Sequence, residues 1–304
     1  MPKIFVIIVT YNGAKWICNC LGHLADGQSP VDIIVIDNGS TDDTASLIQN
    51  NFPKANIIKQ KNNLGFGQAN NIGIKYALAR EADYVFLLNQ DAYVYPTTIA
   101  ELLFIHQSHP DYGIISPLQL NGSGKELDVL FQKFFSNSYS HKLCIKLGAG
   151  HLISSNILPV RFVNATAWFI PTACIEKVGL FDSSFYHYGE DNNYCSRAQY
   201  HGFKVGVTPL ASIRHDKVYN LPKKDLLLRK IHLVPLCILL DLRKNIAVAS
   251  LLVIWKLIGY GWKGIMQRSP EVRKNVLKEI KWISYNFPEI MHNRALTKLP
   301  YTNK

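Results

Sequence analysis

The sequence predicts an α/β protein, a doubly wound and mostly parallel sheet followed by a basic helical appendage. Three observations carry that reading. Short continuous Val/Ile runs alternate with helical stretches up to about residue 120, and such runs mark strands covered on both faces. Polar clusters follow three of these runs at once: Thr10-Tyr11-Asn12, Asp37-Asn38-Gly39-Ser40 and Asn89-Gln90-Asp91. Open α/β sheets bind ligands there, beyond the carboxyl ends of their strands. Past Leu221 the chain turns helical, apolar and positively charged.

In chain order, strands are expected at 3–10, 31–37, 55–60, 83–89 and 112–118. Helices are expected between them, at 14–25, 41–51, 67–79 and 97–108. Residues 121–160 are rich in Ser, Gly and Lys and show no clear period. A further strand is expected at 161–171, a helix at 190–201 and a strand at 203–209. The division that follows is an α/β body over 1–221, its regular alternation ending at about 120 and a less regular part filling about 121–221, and a helical region over 222–304.

Hydrophobic residues make up 48% and charged residues 18% of the 304, which excludes a disordered chain. The net charge of +11 is placed unevenly. Residues 1–222 hold 17 basic and 17 acidic residues, whereas 223–304 hold 16 and 5, so the excess lies in the last quarter. Such a tail suggests an anionic partner. The six cysteines form no CxxC pair and read as buried thiols of a reducing compartment. The apolar run Ile4–Val9 is too short for a signal sequence and reads as a buried first strand.

Several motifs carry chemistry. Asp37 ends a strand, where its carboxylate can accept the N3–H of a uracil or thymine, and Tyr11 offers a flat face to the base. Asp42 and Asp43 are expected to cap the next helix. In NNLGFGQANNIGI (62–74), glycines allow close backbone approach and Asn70 and Asn71 supply amide donors. The spacing fits neither GxxxxGK[ST] nor GxGxxG. Asp91 follows a mid-sheet strand and can supply one carboxylate to a cation that holds two phosphates, with Asn89 beside it. Glu190-Asp191 open a helix, where a general base for an acceptor hydroxyl can stand, and Arg197 on the same helix can pair with either. His215, in SIRHDK, is a candidate metal ligand.

Taken in order, TYN, VIDNGSTD, NNLGFGQANNIG, LNQDAYV, GLFDSSFYHYGED and RHDK resemble family 2 glycosyltransferases of the Rossmann-like GT-A fold. The resemblance covers about 3–220 and is greatest to the bacterial branch of rhamnosyl- and other polysaccharide-building transferases. It implies an inverting transfer from a UDP- or dTDP-linked sugar to a hydroxyl of a glycan or lipid-linked acceptor. The base site would comprise Thr10, Tyr11, Asn12, Asp37 and Asn38, with Asn70, Asn71 and Asn89 toward the rest of the nucleotide. Asp91 and His215 would ligate Mn²⁺ or Mg²⁺. Asp191 would be the catalytic base, with Glu190 as its alternative. Two departures stand out: Asn89 replaces the first Asp of DxD, and Asn70 stands where Arg is frequent.

Two other classes compete. A sugar-nucleotide nucleotidyltransferase shares the α/β sheet and the metal, but Thr10-Tyr11-Asn12-Gly13 lacks the glycine-rich basic loop such enzymes carry after their first strand. A basic nucleic-acid-binding protein would explain the tail, yet no recognisable module is present, and no nucleic-acid partner is expected. The tail's longest uncharged run, Asn245–Trp255, has 11 residues, short of the roughly 20 that span a bilayer. Its helices are therefore expected either to pack on the catalytic body or to lie peripherally on the inner face of the cytoplasmic membrane.

Overall fold

The structure is a computed structural model that describes residues 1–135, 156–217 and 223–301. The expected boundary at 221/222 and Cys144 lie outside the described residues.

The Val/Ile runs form the strands they predict. β1 (Ile4–Thr10), β2 (Asp32–Asp37), β3 (Asn56–Lys59) and β4 (Tyr84–Asn89) pair in parallel. Between them run α1 (Ile17–Ala25), α2 (Thr44–Asn51) and α3 (Phe66–Leu78). Asp42 accepts from the Thr44 N–H at 3.1 Å and caps α2, while Asp43 makes no side-chain cap bond. β5 (Ala92–Val94), α4 (Thr98–Ser108), β6 (Tyr112–Asn121), α5 (Val129–Phe135) and β7 (Leu158–Val160) follow. The body continues with β8 (Ala167–Pro171), α6 (Thr172–Val178), α7 (Glu190–Tyr200) and β9 (Lys204–His215).

The strand order is β3-β2-β1-β4-β8-β6-β9-β5, with β7 beside β9. β4 is thus central, as expected for the strand preceding Asp91. β8 is antiparallel to both neighbours, so the sheet is mixed. Two strands differ in length from their expectation. Residues 161–166 are loop rather than strand. β9 continues beyond Pro209 to His215 through a register shift against β6 at Pro117/Leu118. The shift absorbs the proline and lets one strand reach from the core to the polar end of the sheet. β6 runs across residue 120 and joins the same sheet, so a division there does not split the architecture.

Apolar residues cover both faces of the sheet. Phe5, Ile7, Ile34, Ile36, Leu87 and Trp168 pack on one side, and Val6, Ile8, Val35, Phe86 and Phe169 on the other. Burial of each such side chain contributes roughly 1.5–3 kcal/mol.

The C-terminal region forms three helices: α8 (Lys223–Leu239), α9 (Ile246–Met266) and α10 (Pro270–Leu296). Asn245 caps α9 by accepting from the Ala247 N–H, and Ser269 caps α10 ahead of a proline in its first turn. Their shared core holds Ile231, Leu236, Leu239, Val253, Leu257, Val272, Val276 and Ile290, and it includes Phe185 of the catalytic body. The helices are fastened to that body by polar bonds as well. Ser196 donates to Asp241 at 2.7 Å, Asn293 to Ser184 at 3.1 Å, and the His201 Nε2 lies 2.9 Å from the Thr297 carbonyl. Burial alone would raise Asp241, but hydrogen bonds from Arg243, Lys244 and Ser196 hold its carboxyl far below the usual range.

Candidate active site

Three loops meet at the polar end of the sheet. Thr10 is fully buried, and its Oγ1 donates to Gln90 Oε1 at 2.5 Å. The Tyr11 N–H donates to the same oxygen at 3.0 Å. Gln90 therefore draws the ends of β1 and β4 together, a role that no sequence signal revealed. Asn12 adopts a φ of 48°, which Asn tolerates better than most residues. It ties its loop to the next by donating its N–H to Ser40 Oγ and accepting from the Thr41 N–H. Asp37 accepts from the Ser40 N–H at 3.0 Å. Asn38 donates to Asn63 Oδ1 and accepts from the Leu64 N–H, both at 2.9 Å.

These loops bound a cleft of about 400 Å³ lined by Val9, Tyr11, Asn38, Asn63, Gly65, Phe66, Asn89, Gln90, Asp91, Tyr186 and His187. Its volume suits a drug-sized or nucleotide-sized ligand. Tyr11 is 44% exposed at its wall. A second cleft, about 430 Å³, lies between Val178–Ser183 and Asn293–Tyr301, but none of the three loops reaches it.

Several nominated residues stand behind the cleft rather than on it. Thr10, Asn12 and Asp37 are not among its lining residues, and neither are Asn70 and Asn71. Both of these last two are buried. Asn70 donates to the Phe66 carbonyl of its own helix, and Asn71 exchanges two bonds with the Phe181 backbone, at 2.9 and 2.8 Å. Asn71 thus joins α3 to the segment leading into α7 instead of offering an amide to a ligand. The glycines of that motif admit protein, too. Gly65 has a φ of +79°, and a Cβ there would fall 1.9 Å from the Tyr186 carbonyl oxygen. A Cβ on Gly73 would lie 2.5 Å from Ile7 of β1.

Asp91 and His215 do come together. β5 pairs antiparallel with the end of β9, which sets Ala92 opposite His215. His215 Nε2 lies 3.5 Å from Asp91 Oδ1, and its Nδ1 lies 3.4 Å from Asp128 Oδ2. Both His215 and Asp128 are 2% exposed. Burial would lower the imidazole, but the two carboxylates outweigh it and raise His215 above its usual value. Burial would raise Asp91; the bond and charge of His215, with Lys217, hold it low.

Asp91 and His215 fit a divalent cation. One oxygen and one imidazole nitrogen face each other, and the buried Nε2 makes no properly angled hydrogen bond. Two neighbouring ligands at about 2.1 Å from an octahedral cation stand roughly 3 Å apart, close to the separation seen. Among the described residues no group of three His, Cys, Asp or Glu is arranged to hold a metal, since Asp128 faces the other ring nitrogen. A cation here must complete its shell with water and ligand oxygens, as phosphate-bound Mg²⁺ commonly does.

Glu190 and Asp191 begin α7 after Gly189, whose φ is +91°. Burial, then the charge of Asp191, pushes Glu190 up to about 8. Its Oε2 is buried without a partner. Burial pushes Asp191 up to about 6, opposed by the N–H groups of Asn192 and Ala165 and by Lys217. Both carboxyls are raised, Glu190 further than Asp191, so Asp191 is the one that ionises first as pH rises. Lys217 acts electrostatically on both Asp91 and Asp191. Arg197 pairs with neither carboxylate. Fully buried, it donates to Asn193 Oδ1 and to the carbonyls of Val178 and Leu180.

Comparison with known proteins accords with this geometry. The sequence model of glycosyl transferase family 2 matches residues 5–159, and the chain belongs to that family. It is thus a glycosyltransferase, which sets aside the nucleotidyltransferase and nucleic-acid-binding readings. A low-salt glycan biosynthesis hexosyltransferase of Haloferax volcanii is 27% identical over 224 residues, 73% of this chain and 68% of that protein. An N-acetylglucosaminyl-diphospho-decaprenol L-rhamnosyltransferase of Mycobacterium tuberculosis is 23% identical over 234 residues, 71% of this chain and 76% of its own. The match to the Staphylococcus aureus poly(ribitol-phosphate) β-N-acetylglucosaminyltransferase TarS, 30% identical over 131 residues, covers 41% of this chain and only 22% of that protein. In structure, residues 1–349 of TarS with UDP-GlcNAc superpose with a TM-score of 0.59 at 17% identity, covering 97% of this chain and 88% of the other. A Pyrobaculum calidifontis mannosyltransferase with GDP-Man and Mn²⁺ gives 0.55 at 15% identity, over 97% of this chain and 80% of the other. These likenesses establish the GT-A fold.

Proposed function

We propose that this glycosyltransferase is a metal-dependent, inverting hexosyltransferase that uses a UDP- or dTDP-linked sugar to extend a glycan or a lipid-linked acceptor. The observation that carries the reading is the facing of Asp91 and His215, 3.5 Å apart, where Asp91 lines a nucleotide-sized cleft. Tyr11 and Asn38 would bind the base and ribose side of the donor, with Asp37 behind them holding the Ser40 loop. Asn89 and Gln90 line the same cleft and would face the diphosphate. Bound Mn²⁺ or Mg²⁺, held by Asp91 and His215, would offset the negative charge of the diphosphate leaving group. Lys217 supplies a fixed positive charge to the same region.

Asp191 takes the proton of the acceptor hydroxyl as its oxygen attacks the anomeric carbon. The C–O bond to the nucleoside diphosphate breaks on the opposite face, so configuration inverts and no enzyme-bound sugar forms. Glu190, neutral at pH 7, keeps a second charge away from the base. The names of the Haloferax and mycobacterial relatives support a role in glycan assembly. Five free cysteines among the described residues suit a reducing, cytoplasmic setting.

The experiment is a nucleotide and nucleotide-sugar panel, scored by thermal shift with and without Mn²⁺, followed by product analysis. Free UDP or dTDP released with a product of inverted configuration supports the reading. Retained configuration overturns it.

A further inference from the structure

α9 is apolar on two sides, and only one of them is used. Ala249, Val253, Leu257 and Gly264 face inward, against α8 and α10. On a helix of 3.6 residues per turn the opposite face carries Leu251, Trp255, Ile258, Trp262 and Ile265, one continuous stripe. These residues are exposed by 67%, 72%, 63%, 64% and 53%. Trp255, Ile258 and Trp262 of the stripe line a shallow apolar hollow together with Tyr260, which is half-buried against the helical core. An apolar face of this extent on a folded chain marks a contact surface.

Charge identifies what it contacts. Lys256 and Lys263 stand exposed on one side of the helix between the stripe and the inner seam, and residues 223–304 carry 16 basic against 5 acidic residues. A second copy apposed there would bring two strongly positive regions together, whereas an anionic surface would neutralise them. Trp255 and Trp262 in an exposed apolar stripe suit the headgroup boundary, and long lysine side chains beside it can extend their amines into it.

We infer that the outer face of α9 docks on an anionic lipid surface, with the helix lying in the plane of the interface. The assignment rests on the proposed lipid-linked acceptor for its purpose but not for its evidence. α9 is long and apolar enough to cross a membrane, 21 residues with a mean hydropathy of 1.4. Crossing would strip it from α8 and α10, which bury its inner seam and share a core with Phe185. The same helical unit reaches the catalytic base. Cys237 of α8 contacts the Gly189 carbonyl and lies in the field of Asp191 and Glu190.

The test is co-sedimentation of the full chain with phosphatidylglycerol or phosphatidylcholine vesicles at low and high salt. Binding to the anionic vesicles at low salt, reversed by high salt or carbonate, is expected. W255S/W262S should weaken it roughly 10-fold or more, and K256E/K263E by a similar factor. Melting temperature and UDP binding, measured on the same samples, should stay unchanged. Four results would overturn the assignment: a full chain that stays in the supernatant, equal binding by W255S/W262S, resistance to carbonate, or a concentration-dependent dimer that these tryptophan changes abolish. Intact donor binding in any of these cases would leave the glycosyltransferase reading standing.

Discussion

His215 Nε2 stands 3.5 Å from Asp91 Oδ1, although 124 residues of chain separate the two. The strand pair β5–β9 creates that approach by placing Ala92 opposite His215. If the two groups share a divalent cation, UDP or dTDP should bind more tightly in Mn²⁺ or Mg²⁺ than in EDTA. D91A and H215A should each remove that gain in calorimetry. Equal affinity with and without metal would exclude the shared site.

Asp128 lies 3.4 Å from the other ring nitrogen of His215 and is itself buried. A carboxylate there orients the imidazole and keeps Nε2 turned toward Asp91. D128N should lower the metal-dependent gain in nucleotide affinity by roughly 10- to 100-fold, with metal-free affinity unchanged. Because Asp128 also accepts from the Leu130 and Phe131 N–H groups, the melting temperature must be followed in parallel. A variant that melts as the parent does but keeps the full metal gain would refute the orienting role.

Burial raises Asp191 less than Glu190, so Asp191 ionises at the lower pH of the two. D191N should slow transfer by roughly 10²- to 10⁴-fold while donor binding persists. The parent rate should rise with pH through about 6, as the carboxyl loses its proton. E190Q should retain most activity. A D191N enzyme that turns over normally, beside an inactive E190Q, would transfer the base role to Glu190.

Glu190 also gives stability a definite pH dependence. Its folded-state value is raised to about 8 from 4.5, so between these limits the folded protein holds a proton that the unfolded chain has released. Its contribution is complete below about 4.5 and is lost as pH rises through about 8. E190Q should flatten the fall of melting temperature over that window. An unchanged slope would show that Glu190 is ionised in the fold.

Gly65 should tolerate no side chain. A Cβ would fall 1.9 Å from the Tyr186 carbonyl oxygen at a φ of +79°, which costs at least about 1 kcal/mol from backbone conformation alone. G65A should lower the melting temperature and weaken nucleotide binding, since Tyr186 and His187 line the same cleft. Parent-like binding would show that the Tyr186 segment is free to move aside.

The sequence by itself determined the strands, their buried character and the loops that end them, because a Val/Ile run encodes burial locally. It also marked Asp91, Asp191 and His215, whose residue types stood out at the ends of elements. Tertiary structure alone decided which polar residues face the cleft. Asn70 and Asn71 read as ligand donors, yet helix packing turns them inward to backbone carbonyls. Gln90, Asp128 and Lys217 matter through partners distant in the chain, and no local pattern records such partners. The mixed sheet arises in the same way: β8 is an ordinary apolar strand whose direction is fixed by where the chain returns between β4 and β6. In the tail, the longest uncharged run of 11 residues fell short of a membrane span. The fold sets that run within one 21-residue apolar helix, because isolated lysines do not interrupt helical hydrogen bonding.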